Sequence, residues 1–322
     1  MSGERGILQR LIAGPVSGDV LAQEAGLTRA AMWKRIEALR EAGVEIDAQA
    51  GRGYSLRHPV ELMQADAILD ALPPFMRAGL ASLEIAWSLD STNSELLRRE
   101  APAHGVAALI AERQTGGRGR RGKAWASPLA AHLYLSLSRQ FSGGLARLGG
   151  LSLVAGVATA EALQEAGYAD VRLKWPNDLV VEGRKLGGLL VEGGGEHAGP
   201  VRAVIGLGLN VRMPDTVAAT LDQPWTDLTR LMDPAPSRNA LAARLLTHLL
   251  PALDQFDVEG LTPFLGRYAR FDALTGREVV VHLAGDSQIG IAAGIAEDGA
   301  LRVRVEGEER VFHAGEVSVR AQ

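Results

Sequence analysis

Cysteine is absent from the 322 residues, which removes disulfides, thiolate nucleophiles and cysteine-ligated zinc from consideration together. Aromatic residues are scarce at 5%, and no apolar run approaches the length needed to span a bilayer. The first ten residues are polar and charged, unlike a secretory signal, so the cytoplasm is the expected compartment and no membrane partner is expected. Hydrophobic residues at 47% and charged ones at 22% give an ordinary globular balance, and the length allows two or three domains. A net charge of −4 confines any nucleic-acid binding to one surface. Internal repeats and low-complexity tracts are also missing.

Glycine and arginine, by contrast, are concentrated in one place. Between Gly116 and Lys123 stand four glycines and four cations in eight residues. An apolar run at 106–111 precedes them and an alternating one at 132–138 follows, so the context reads as strand, long loop, strand. Glycines bring backbone N–H groups close to a ligand, and arginines add forked donors for carboxylate or phosphate. Four close cations repel each other, so the loop is expected to wrap an anion. Gly117, Gly119 and Gly122 fit a dinucleotide spacing, but a strand-like segment follows where that fingerprint needs a helix. No Walker-type phosphate loop occurs. A solvated basic loop, or a non-specific RNA-binding patch, is the plainer alternative.

Near the amino terminus, Ile7, Leu8, Leu11 and Ile12 form one apolar helical face, stopped by Gly14-Pro15. A second helix fits residues 19–25, Gly26 turns the chain, and Thr28 caps a third helix reaching about Ala42. Met32, Ile36 and Leu39 are its buried stripe. Short β-prone segments at 44–47 and 54–56 flank Gly51-Arg52-Gly53, a hairpin with a basic tip. This succession is a winged helix-turn-helix. Eight Lys/Arg against seven Asp/Glu across residues 1–58 is a modest charge for DNA, so a protein-binding role for the module stays open. The candidate DNA contacts are Thr28, Arg29, Lys34, Arg35 and Arg52.

Three further stretches stand out. Ser91-Thr92-Asn93 precedes a helical run at 95–100, where these residues either cap the helix or face a polar ligand. A helix at 148–166 leads to Lys174-Trp175-Pro176-Asn177-Asp178, readable as a turn or as functional groups at a strand's carboxyl end. A hairpin at 179–192 turns at Gly183-Arg184, and Lys185 opens its second strand. A strand at 201–211 carries Gly206, Gly208 and Asn210. Residues 213–225 look like a loop whose Val217, Leu221 and Trp225 could collapse over a ligand or remain plain surface. Helices fit 239–256 and 261–269, and β-prone segments recur at 278–283, 288–295, 300–305 and 309–313. His282 and His313 are isolated and read as structural.

Taken in order, these motifs resemble the bacterial bifunctional biotin–protein ligases that also repress the biotin operon. The resemblance covers nearly the whole chain. It implies an α+β protein: a winged helix-turn-helix at 1–60, a mixed α/β biotin/lipoate-ligase-like catalytic domain at 80–270, and an SH3-like β-barrel at 272–322. It implies that biotin's carboxylate attacks the α-phosphate of ATP, with Mg²⁺ on the pyrophosphate. The acyl group of biotinyl-5′-AMP then passes to a lysine of the biotin carboxyl carrier protein of acetyl-CoA carboxylase. By resemblance, Ser91, Thr92, Asn93, Gln114, Arg118, Gly119, Arg120 and Lys185 bind biotin. Arg118, Arg120 and Lys185 also act on the reacting groups, while Arg121, Trp125, Asn177, Asn210 and Trp225 face ATP or the adenylate. No residue is assigned as a metal ligand, and the part played by Asp178 is left open. The adenylate-bound form is expected to be a homodimer on operator DNA. Simple electrostatics agrees: two anions at 4 Å repel by about 4 kcal/mol at an effective dielectric near 20, which nearby cations offset. A lipoate–protein ligase, a biotin sensor without turnover, and a ligase whose winged helix no longer binds DNA are the alternatives.

Overall fold

The computed structural model describes residues 3–49, 51–142, 144, 148–195, 201–234, 236–283, 286–314 and 318–321. Helices α1 (Glu4–Ile12), α2 (Gly18–Ala25) and α3 (Arg29–Glu41) are followed by the hairpin of β1 (Ile46–Gln49) and β2 (Gly53–Leu56). Side-chain caps set both internal helix starts: Ser17 Oγ accepts from Val20 N at 3.2 Å, and Thr28 Oγ1 accepts from Ala31 N at 3.2 Å. Gly26 makes the turn at φ 66°. Ile7, Leu8, Leu11, Met32, Ile36 and Leu39 fill the core of this winged helix. Ile12 does not join them and is 39% exposed. Five residues beyond Ile7, it lies well round the helix from the Ile7–Leu11 face.

Two short helices with no clear period in the sequence come next, α4 (Ala65–Ala71) and α5 (Pro74–Arg77). The central body is then built from β3 (Leu80–Ala86), α6 (Thr92–Arg98), β4 (Val106–Ala111), β5 (Leu133–Phe141) and α7 (Leu151–Glu165). It continues through β6 (Arg172–Lys174), β7 (Asp178–Val181), β8 (Arg184–Gly195) and β9 (Val201–Leu209). Helices α8 (Asp215–Ala218), α9 (Leu228–Leu231), α10 (Arg238–Glu259) and α11 (Thr262–Phe271) complete it. The sheet order is β3-β4-β5-β9-β8-β7-β6, and only the β3–β4 pair is parallel. Strand β5 is covered on both faces. Leu133, Leu135 and Leu137 join the main core with α7 and α10, while Ser136 and Ser138 take the opposite face with Tyr134.

The tail is a five-stranded antiparallel sheet, ordered β13-β12-β11-β10-β14, from β10 (Glu278–Leu283), β11 (Asp286–Ile295), β12 (Leu301–Val305), β13 (Glu308–Phe312) and β14 (Ser318–Ala321). The last strand went unread in the sequence. Val279, Val281, Leu301 and Val303 belong to the same apolar core as the central sheet, and Trp175 Nε1 donates to Gly299 O at 3.0 Å. The three parts are therefore packed together rather than strung apart. Leu129 and Ala130, from the central body, complete the winged-helix core. Leu129 N donates to Ala42 O at 2.8 Å, and a Cβ on Gly43 would come within 2.7 Å of Pro128.

Where the winged helix joins the central body, charges are buried. Glu112 and Arg238 meet at 2.7 Å with side chains 3% and 5% exposed. Glu112 also accepts from Met63 N at 2.5 Å, and Arg238 donates to His132 O at 2.9 Å and to Glu61 O. Burial pushes the His132 imidazole down to about 3, so the ring is neutral, and its Nδ1 accepts from Val211 N at 3.2 Å. Among the described residues no helix is long and apolar enough to cross a membrane.

Candidate functional site

Glycines form the floor of the candidate groove. Gly206 and Gly208 of β9 share one face, and Gly188 of β8 is the ladder partner of Gly208. A Cβ at Gly206 would lie 2.3 Å from Asn93 Oδ1, and one at Gly208 would lie 2.6 Å from the Trp125 ring. An amide and an indole rest directly on the strand, so no side chain fits beneath them.

Above Gly206 the groups are mostly hydroxyls and amides, with the Glu192 carboxylate at their edge. Ser91 caps α6, accepting from Ser94 N at 3.4 Å. Thr92 donates through its N and its Oγ1 to Gln114 Oε1, at 2.9 and 3.1 Å. Ser136 Oγ lies 2.7 Å from Thr92 Oγ1 and 2.6 Å from Asn93 Oδ1. Asn93 Nδ2 donates to Leu190 O at 3.1 Å and Glu192 Oε2 at 2.9 Å. The triplet thus acts both as cap and as wall.

The basic loop runs over this groove and returns on itself. Trp125 N donates to Gly117 O at 2.9 Å, and Gly119 N to Lys123 O at 2.7 Å. Its tip is one 3₁₀ turn, Arg120–Gly122, with Arg121 held at φ 56°, a left-handed conformation costly for a residue with a Cβ. The expected mutual repulsion of the cations is relieved in part by a carboxylate of β8, because Arg118 Nη2 donates to both oxygens of Glu192 at 2.9 and 3.2 Å. Arg120 reaches Asn177 Oδ1 at 3.4 Å and the Ala314 carbonyl. Its own burial, then the charge of Arg121, push its guanidinium below the ordinary value. Arg121 stays exposed.

Beyond Gly208 the groove becomes cationic and aromatic. Lys185 Nζ is 2.7 Å from Asp178 Oδ1 and 5.4 Å from the centroid of the Trp125 ring. Its backbone is pinned on both sides, N to Pro224 O at 3.0 Å and O from Thr226 N at 2.9 Å. Asn210 Nδ2 donates to Thr226 O at 3.1 Å. Residues 213–225 are accordingly tied to β8 and β9 at their far end rather than forming a free surface loop. Arg230 lies 4.0 Å over the Trp225 ring. Trp125 Nε1 is buried with no hydrogen-bond partner among the described residues. Asn177 Nδ2 donates to Leu189 O at 2.8 Å, leaving Oδ1 toward Arg120.

Two clusters thus emerge on one floor: Ser91 to Asn93, Gln114 and Arg118 at one end, and Arg120, Trp125, Asn177, Lys185, Asn210 and Trp225 at the other. Ser94, Ser136, Glu192 and Arg230 were missed. Two polar residues buried in the otherwise apolar strand at 133–138 were a signal for Ser136, whereas nothing local marked the others.

On the winged helix, Arg29, Lys34 and Arg52 are exposed. Arg29 lies 3.5 Å from Asp19, and Arg35 lies 4.0 Å from Glu4. The Thr28 hydroxyl is committed to its cap. Arg40 donates to Ile46 O at 3.0 and 2.8 Å, so it braces α3 against the wing.

Comparison with known proteins agrees with this layout. Residues 86–210 match the model of the Biotin/lipoate A/B protein ligase family, residues 4–55 an HTH domain, and residues 275–320 the Biotin protein ligase C terminal domain. The chain is 40% identical to the bifunctional ligase/repressor BirA of Escherichia coli (strain K12), over 95% of this chain and 93% of that one. It is 37% identical to the biotin–[acetyl-CoA-carboxylase] ligase of Mycobacterium tuberculosis, covering 74% of this chain and 90% of the relative. The solved biotin protein ligase of Aquifex aeolicus, in complex with biotin and ATP, superposes with a TM-score of 0.63 at 26% identity, over 75% of this chain and all of that one. With a relative this similar along nearly its full length, and matches in all three parts of the fold, the chain belongs to the family of bifunctional ligase/repressors built on the biotin/lipoate protein ligase fold.

Proposed function

We propose that this chain is an ATP-dependent biotin–protein ligase that is also a biotin-responsive repressor. The observation that carries the reading is the single glycine floor with two unlike ends. The amide and hydroxyl end suits a neutral ureido ring, and the cationic, indole-lined end suits phosphates and a purine. In the first step the biotin carboxylate attacks the α-phosphorus, and the bond to pyrophosphate breaks. In the second, a carrier lysine amine attacks the acyl carbon of the mixed anhydride, and AMP leaves. Arg120, Arg121 and Lys185 offset the charge that gathers at the phosphorus. Trp125, Asn177, Asn210 and Trp225 form the nucleotide side. Thr92, Asn93 and Gln114, held by Ser136, shape the acid side.

Mg²⁺ is part of the proposal. Among the described residues no group of three or more His, Cys, Asp or Glu gathers. An ion carried by phosphates needs only one or two protein carboxylates, and Asp178, 25% exposed beside Lys185, fits that need. Asp178 would hold it, and the ion would neutralise the departing pyrophosphate.

Incubation with ATP, a carrier domain and either biotin or lipoate tests the ligase half. Mass gain on the carrier from biotin is expected, and gain from lipoate alone would reject the reading. Gly208→Ala is expected to raise the KM for ATP about tenfold while moving that for biotin little, because it displaces Trp125 at an overpacking cost of about 1–3 kcal/mol. Steady-state pyrophosphate release measures both.

For the repressor half, the adenylate-loaded chain pairs with itself and two winged helices bind a two-part operator through Arg29, Lys34, Arg35 and Arg52. Gel shifts with DNA upstream of biotin-synthesis genes should appear only with the adenylate, and weaken as salt rises. Equal shifts with and without it would remove the biotin response.

A further inference from the structure

We propose that Glu192 is the catch that holds the basic loop shut over the acid end of the groove, with Arg118 as its hook. The inference deepens the ligase reading and rests on it for its kinetic half only. Glu192 projects from β8 and receives three contacts: Arg118 Nη2 at 2.9 and 3.2 Å, and Asn93 Nδ2 at 2.9 Å. Arg118 uses its other branch on Ser94 Oγ at 2.8 Å. One carboxylate therefore ties the loop to α6 and to β8 at once, beside the residues that line the neutral end. Arg120 makes the corresponding tie at the nucleotide end through Asn177.

The pairing separates two jobs that the four cations share in the sequence. Both branches of Arg118 are engaged, one by Glu192 and the other by Ser94, so its guanidinium is committed to anchoring the loop and Arg118 works as a positioning residue. It governs how long a bound intermediate stays covered. The contact is charge-assisted, with Arg118 Nη2 bridging both carboxylate oxygens, and belongs to a small network, which places it at the upper end of what a partly exposed pair contributes. Glu192→Gln keeps the shape and the amide contacts possible while deleting the charge. Escape should then rise while formation of the mixed anhydride holds, since a freed Arg118 adds positive charge rather than removing it.

Hydrogen exchange on the ligand-free full chain reads the catch directly. Exchange across residues 116–124 should quicken about fivefold in Glu192→Gln and in Arg118→Gln, the size expected of one good ion pair. The double variant should be no faster than either single. With radiolabelled biotin and ATP, escape of the preformed adenylate into a chase should rise by a similar factor in each single variant, and in Glu192→Gln the first burst of pyrophosphate should stay near the parent rate. Arg118→Gln lies on an exposed loop and serves if Glu192→Gln does not fold. Unchanged exchange in both singles, or effects that multiply in the double, would overturn the proposal. A parent chain that makes no adenylate would defeat the ligase reading, yet the exchange data would still decide whether the catch exists.

Discussion

Lys185→Met should slow adenylate formation by roughly a hundred- to a thousandfold, the usual loss when one preorganised charge donor is removed from a transition state. The lysine is fixed more firmly than most. Its backbone is bonded to Pro224 and Thr226, and its ammonium sits 2.7 Å from Asp178 and above the Trp125 ring. Lys185→Arg should rescue only partly, because a planar fork does not reproduce a compact ammonium. Rapid-quench measurement of pyrophosphate release isolates the first step. Supplying biotinyl-AMP directly should return much of the carrier labelling, since the second step begins after the charge problem is over. The double variant with Asp178→Asn separates loss of the cation from exposure of an unpaired carboxylate. A single variant within fivefold of the parent would contradict the assignment.

Arg238→Met should destabilise the fold by about 3–5 kcal/mol, a large part of the roughly 5–15 kcal/mol that holds a domain together. The reason is not the ion pair's own strength. Removing Arg238 leaves Glu112, 3% exposed and surrounded by protein, without its cation. It also strips a donor from the carbonyls of His132 and Glu61. The double change Glu112→Leu with Arg238→Met should recover much of the loss, because apolar groups of similar size often replace a buried pair at little cost. Urea unfolding followed by circular dichroism measures both. A single-variant loss below about 1 kcal/mol would mean that water reaches Glu112 after all.

The sequence made local order legible wherever periodicity or capping was strong. Gly14-Pro15, Gly26 and Thr28 announced the turns of the winged helix, and glycine density announced the loop. Where elements are short the signal failed: α5 has four residues and opens on Pro74 behind Pro73, too little for a helical period to register. Pairings distant along the chain were hidden for another reason. Glu192 is 74 residues from Arg118, Ser136 is 44 from Thr92, and Arg238 is 126 from Glu112. A glutamate in an alternating strand reads as solvent-facing until its partner is known. Composition suggested that the four loop cations act alike, whereas Glu192 singles one of them out.

The joint between Gly43 and Pro128 bears on how such proteins could be recombined. The apolar centre of the DNA-reading module is finished by Leu129 and Ala130, residues lying just past the tryptophan that roofs the groove. A chimera cut near residue 60 would transplant one half of an interface and abandon the other. A working graft has to carry residues 128–130 along with the amino-terminal module, so the seam in space is not the seam along the chain.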